Sequence, residues 1–216
     1  MLNSKETKGH MWNDKSLWLL IFSNAITILF AVKGGWNLST VAWIYWFQSV
    51  VIGIFNFIRI IELKEFSVEG LKVNGQEVEP TRSTKNSTAF FFLFHYGFFH
   101  VVYAFFIAGG IFSRANWNGS DFVDLKYVFM VALLFFLNHL FSYVYNKPTY
   151  TNKINLGSMM SYPYARIIPM HLIMVLVFYF SSTALVLFLI LKTLADVAMH
   201  IMEHNIFIKN IVSEPQ

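Results

Sequence analysis

Residues 185–207 read LVLFLILKTLADVAMHIMEHNIF, an apolar run interrupted by Lys192, Asp196, His200 and His204 at intervals of four. A helix that crosses a bilayer needs about 20 mostly apolar residues, and this stretch is long enough. Each step of four residues advances about 40° around a helix, so the four polar side chains occupy one stripe roughly 120° wide. Hydrocarbon cannot solvate such a stripe. It is expected to point into a helical bundle, where Lys192 and Asp196 pair at i,i+4 and Asp196 also reaches His200.

The rest of the chain agrees with a membrane setting. Of its 216 residues, 56% are hydrophobic, 19% aromatic and only 13% charged, with a mean hydropathy of +0.52, far from an ordinary soluble domain. Apolar stretches recur at residues 17–33, 38–61, 87–112, 122–146 and 163–180, ahead of the one at 185–207. The expectation is an all-α fold: one polytopic domain over residues 1–216, a bundle of six transmembrane helices. Breaks fall where turn chemistry places them, at Lys33-Gly34-Gly35, Asn116 to Ser120, Asn146-Lys147-Pro148 and Ser181-Ser182-Thr183. No small-residue cleavage site follows the first apolar run, so that segment is expected to remain in the mature chain. No internal repeat is visible, which argues against a transporter built from duplicated halves.

An even number of spans puts both termini on one side. The segments on that side hold Lys5, Lys8, Lys15, Arg59, Lys64, Lys72, Arg82, Lys85, Lys147, Lys153, Arg166 and Lys209, against Lys33, Arg114, Lys126 and Lys192 on the other. By the positive-inside rule both termini are cytoplasmic, in a cell inner (plasma) membrane. The longest cytoplasmic connection is then residues 62–86, in which Lys72-Val73-Asn74-Gly75-Gln76-Glu77 carries the Asn-Gly signature of a tight hairpin, a plain loop being the alternative. A formal charge of +4 with scattered basic residues suits lipid headgroups, and nucleic acid is not an expected partner.

Histidine supplies the chemistry that this composition permits. With no cysteine, disulfides, thiolate metal sites and cysteine nucleophiles are excluded, and any metal must use N and O donors. At about 1.5 Å of rise per residue, His95, His139, His171 and His200 each lie roughly 9 to 12 Å below the cytoplasmic boundary, on four different helices. His204 lies one turn nearer the headgroups, while His100 falls closer to the midplane with Gln48 and Lys192. His95 and His100 stand about 140° apart on their helix and cannot both face one small ion. Imidazoles with one carboxylate form a normal donor set for zinc, so His95, His139, His171, Asp196 and His200 are the candidate metal ligands. Asp196 is also the candidate catalytic group, or the group that orients a ligand. Gln48, His100, Lys192 and His204 are candidates for an outer shell or an ion path. The order H-E-x-x-H is absent, His200-Ile201-Met202-Glu203-His204 having a different spacing, and no G-x-S-x-G motif nominates a serine.

The patterns Phe94-His95-Tyr96-Gly97-Phe98-Phe99-His100, Pro163-Tyr164-Ala165-Arg166 with His171, and Leu191-Lys192-Thr193-Leu194-Ala195-Asp196 resemble a bacterial and archaeal family of integral membrane proteins catalogued as a domain of unknown function. The resemblance runs from the second span onward and implies membrane placement without implying an activity. The family pattern implies an acid two residues after the second-span tryptophan, where this chain has Trp46 followed by Gln48. Four functions are expected to compete. The leading one is a divalent metal site, zinc favoured, with a bound water able to hydrolyse a lipid or membrane-peptide bond; its architecture is loosely like that of the ceramidase and adiponectin-receptor group. A proton or metal-ion transporter or channel would use the His100, Gln48, Lys192 and Asp196 layer. A haem carried by two histidines would make the protein an electron carrier. A purely structural membrane protein is the fourth.

Overall fold

The computed structural model describes residues 15–33, 38–109, 125–146, 154–176 and 184–208. Helix α1 (Lys15–Lys33) and helix α2 (Leu38–Glu62) are followed by the short strands β1 (Phe66–Ser67), β2 (Lys72–Val73) and β3 (Gln76–Glu77). Helices α3 (Arg82–Ala108) and α4 (Leu125–Asn146) come next, then strand β4 (Ile154–Asn155), the six-residue helix α5 (Leu156–Ser161), a 3-10 turn (Tyr162–Arg166), α6 (Ile167–Leu176) and α7 (Ala184–Ile208). The described chain is therefore predominantly helical. Three stretches within it are long and apolar enough to cross a membrane: Leu38–Glu62, Arg82–Ala108 and Leu185–Met202. In α4 the apolar part, Leu125–Phe141, is shorter.

Helix α2 is the hub. Its buried residues include Val41, Tyr45, Ile52, Phe55 and Ile60, and it packs along both α3 and α4. Gly53 sets how closely α3 approaches, because a Cβ built there would lie 2.6 Å from Tyr96 Cε1. Where α2 ends, its last carbonyls lack helical donors. The Lys85 ammonium supplies them, donating to Ile61 O at 2.7 Å and Leu63 O at 2.8 Å. Helix α7 packs instead against α1, α6 and the 3-10 turn. That turn touches α2 and α5 as well, so it joins the α2–α3 side of the bundle to the α7 side.

Two expected boundaries differ from those found. The third apolar segment begins helically at Arg82 rather than 87, because Thr81 caps it: its side chain accepts from Thr84 N at 3.1 Å. An apolar count cannot see that polar first turn. The fifth segment is expected as one run from 163, yet it opens with the 3-10 turn and becomes α-helical only at Ile167. Pro163 sits in the first positions of that turn, where a missing N–H costs least, and the turn follows directly on α5. The Asn-Gly hairpin forms as its dipeptide indicates: β2 and β3 pair antiparallel, with Asn74 and Gly75 at φ of 53° and 79°. Strands β1 and β4 pair in parallel, Phe66 opposite Ile154, and tie the 62–86 connection to the segment before α5. The expected breaks at residues 34–35, 116–120 and 181–183 lie outside the described residues.

Large apolar side chains also cover the outside. Phe94 and Phe105 of α3 are 72% and 75% exposed, and Phe129 and Phe141 of α4 are each 70% exposed. Soluble monomers rarely expose large contiguous apolar faces.

Candidate functional site

Lys192 and Asp196 lie one turn apart on α7, and Arg166 closes the 3-10 turn. The Arg166 guanidinium donates from Nη1 to Asp196 Oδ1 at 2.5 Å, and the Lys192 ammonium donates to Asp196 Oδ2 at 2.6 Å. All three are nearly sealed, at 3%, 9% and 5% exposure for Arg166, Lys192 and Asp196. Neutral groups complete the network. Arg166 Nη2 donates to Gln48 Oε1 of α2 at 3.3 Å, and Lys192 Nζ donates to Asn24 Oδ1 of α1 at 2.8 Å. Beneath them the Tyr45 ring lies 4.4 Å from the guanidinium carbon and 5.8 Å from Lys192 Nζ, which places both cations over an electron-rich face. Tyr45 also donates its hydroxyl proton to Arg166 O at 3.1 Å, and Phe188 of α7 packs edge-on against its ring. Charges drawn from separate elements thus share one carboxylate in an apolar interior. That arrangement is tolerated only because the charges are paired.

A second polar group sits between α2 and α3. His100 Nδ1 lies 2.8 Å from Tyr96 O, a carbonyl, so this nitrogen carries the proton and donates. In the neutral ring Nε2 then accepts, and the Ser49 hydroxyl 2.8 Å away donates to it. The Tyr96 hydroxyl, 2.6 Å from Ser49 Oγ, donates in turn to Ser49. Trp46 Nε1 donates to His100 O at 2.7 Å and fixes the two helices further. A cavity of about 220 Å³ adjoins this chain, lined by Trp46, Gly53, Phe92, Tyr96, Gly97 and His100 among others. Gln48 and Ser49 are neighbours on α2, so the charged network and the hydroxyl–imidazole chain meet at that helix.

The remaining expected site residues are distributed differently. His95 is exposed, stacks on Phe91 and makes a 2.9 Å hydrogen bond with the Tyr164 hydroxyl. His139 is half-buried, donates to Phe135 O of its own helix at 3.2 Å and stacks on the Phe135 ring. His171 is exposed and His200 is half-buried. His204 belongs to α7, but its side chain lies outside the described residues. Among the described residues no three His, Asp or Glu side chains are gathered as a metal ion would need. Equal depth, on which the ligand set of His95, His139, His171, Asp196 and His200 rests, says nothing about the direction in which each ring points. The members that do converge are Gln48, Lys192 and Asp196, with His100 close by through Ser49.

Arg166 is the member that sequence reasoning misplaces, counting it as a loop cation, and Lys192 likewise belongs to the network rather than to the far-side charge count. Its signal is nevertheless present: Arg166 lies three residues past Pro163 inside an apolar run. Asn24, Ser49 and Tyr45 have no such signal, since isolated small polar residues and tyrosines are ordinary within apolar helices.

Residues 7–210 match the model of a family of unknown function, DUF6498, and the chain belongs to that family. No curated protein and no solved structure matches the chain.

Proposed function

We propose that this DUF6498 member is a polytopic membrane protein that moves an ion across the bilayer, with the Arg166–Asp196–Lys192 network as its working site. The observation that carries the reading is the single carboxylate shared at 2.5 and 2.6 Å by two cations from different elements. Charges are costly at membrane depth, and where they occur they face the bundle interior, pair with one another and mark ion and proton pathways. Both cations hold the carboxylate at once, through different oxygens, and an ion that binds or leaves beside them would shift the balance between the two pairings. The hydroxyl–imidazole chain of Tyr96, Ser49 and His100 beside it gives protons a second route of exchange. The reading includes six spans with both termini cytoplasmic in the cell inner membrane. The exposed apolar faces of α3 and α4 and the three long apolar helices support it.

The test is flux into vesicles reconstituted with purified protein, followed by a trapped pH-sensitive dye and, separately, a trapped chloride-sensitive dye. Wild-type vesicles should outpace empty ones in at least one dye, and Asp196→Asn should abolish the difference while the variant still elutes as a folded particle. Wild-type flux no faster than empty vesicles in both dyes, or full flux in Asp196→Asn, overturns the proposal.

A further inference from the structure

Among the described residues the buried network does not balance. It holds two cations, Arg166 and Lys192, against the one carboxylate of Asp196, and the other partners, Gln48 and Asn24, are neutral amides. One positive charge is left uncompensated among the described residues, in surroundings from which water is nearly excluded. The guanidinium shows where the missing charge belongs. Arg166 presents two forks, one formed by Nη1 and Nη2 and one along its side formed by Nε and Nη2. Asp196 takes Nη1. Among the described residues Nε is buried with no hydrogen-bond partner, and Nη2 makes only the 3.3 Å contact to Gln48. The side fork is therefore vacant at one tooth and weakly held at the other, in a residue 3% exposed. Buried donors are ordinarily satisfied, and an unfilled one on a cation has the character of a binding position.

We propose that the Nε–Nη2 fork of Arg166 binds a small monovalent carboxylate or similarly forked oxyanion, which completes the charge balance of the network. The fork spacing selects two coplanar oxygens, giving two parallel N–H to oxygen bonds of the kind guanidinium makes with carboxylates. The bound anion displaces the long Gln48 contact, and Lys192 supplies long-range attraction without touching it. Monovalency follows from the count, since a dianion would overshoot to a net negative charge in the same apolar interior. This inference rests on the reading of the network as an ion site and names the class of ion.

Acetate is the probe. Protein purified in detergent at low ionic strength is titrated with sodium acetate, the thermal unfolding midpoint being followed, and sodium sulfate at matched ionic strength serves as the control. Wild type should show a saturable rise with acetate and none with sulfate. Gln48→Glu places a carboxylate beside Nη2 and balances the network internally, so it should weaken acetate binding at least tenfold without loss of fold. Lys192→Met removes the surplus cation and should weaken it likewise. No saturable acetate effect in wild type, or an unchanged acetate affinity in both variants, overturns the inference. The two proposals fail separately: acetate binding without flux in vesicles sinks the translocation reading alone, and flux without acetate binding sinks this one alone.

Discussion

Asp196 is the one carboxylate that Arg166 and Lys192 share. Removing one partner of a buried pair leaves an uncompensated charge and typically costs about 3–5 kcal/mol, so Asp196→Ala, which strands two cations, belongs at the top of that range. Lys192→Met is different, because it removes the surplus cation and leaves Arg166 paired with Asp196 at 2.5 Å. Its cost should be clearly smaller. Equilibrium unfolding in detergent measures both, and a Lys192→Met loss equal to or above that of Asp196→Ala would contradict the charge count. Ser49→Ala takes the donor from His100 Nε2 and should cost about 1–3 kcal/mol in the same assay, the usual consequence of stranding a buried polar atom. An unchanged midpoint would mean that the ring finds another partner.

At the scale of elements, the α2–α3 contact turns on two glycines with opposite expectations. Gly53→Ala drives a methyl to 2.6 Å from the Tyr96 ring and should destabilise by about 1–3 kcal/mol as α3 is pushed away. Gly97→Ala meets nothing within 4 Å and gains helix propensity, so it should be neutral or stabilising by up to about 1 kcal/mol. Melting the two variants side by side checks the interface, and the reverse order would show that the helices pack through another face. Elements also mark where reading the sequence succeeds. The four-residue recurrence of Lys192 and Asp196 is legible because helical periodicity puts both on one stripe, and the Asn74-Gly75 turn is legible because only a few dipeptides accept two positive φ values. The 3-10 turn is not legible in that way. It depends on Pro163, on α5 before it and on contacts with α2 and α7, and it is what carries Arg166 inward. The histidine ligand set shows the same gap: depth follows from counting residues, but ring direction follows from rotation and tilt, which the packing of neighbouring helices decides.

Across the described molecule, the apolar exteriors of α3 and α4 and the buried charges make one consistent design, with the Arg166–Asp196–Lys192 network inside and side chains such as Phe94, Phe105, Phe129 and Phe141 outside. The proposed topology predicts that a reporter enzyme fused after Gln216 is active on the cytoplasmic side only, as is one fused before Met1. Activity of only one fusion on the outer side would require an odd number of spans, and activity of both there would invert the orientation. The charge asymmetry behind this prediction survives the relocation of Arg166 and Lys192 into the bundle, since each side of the membrane then loses one cation from its count. Function at this scale depends on whether the network acts through its charge or only through its packing. The direct measurement is the ion flux of Asp196→Glu and Asp196→Asn in matched vesicles, one variant keeping the carboxylate with altered length and the other keeping the shape without the charge. The account predicts measurable flux with glutamate and at least a tenfold lower rate with asparagine; equal rates in the two would contradict it.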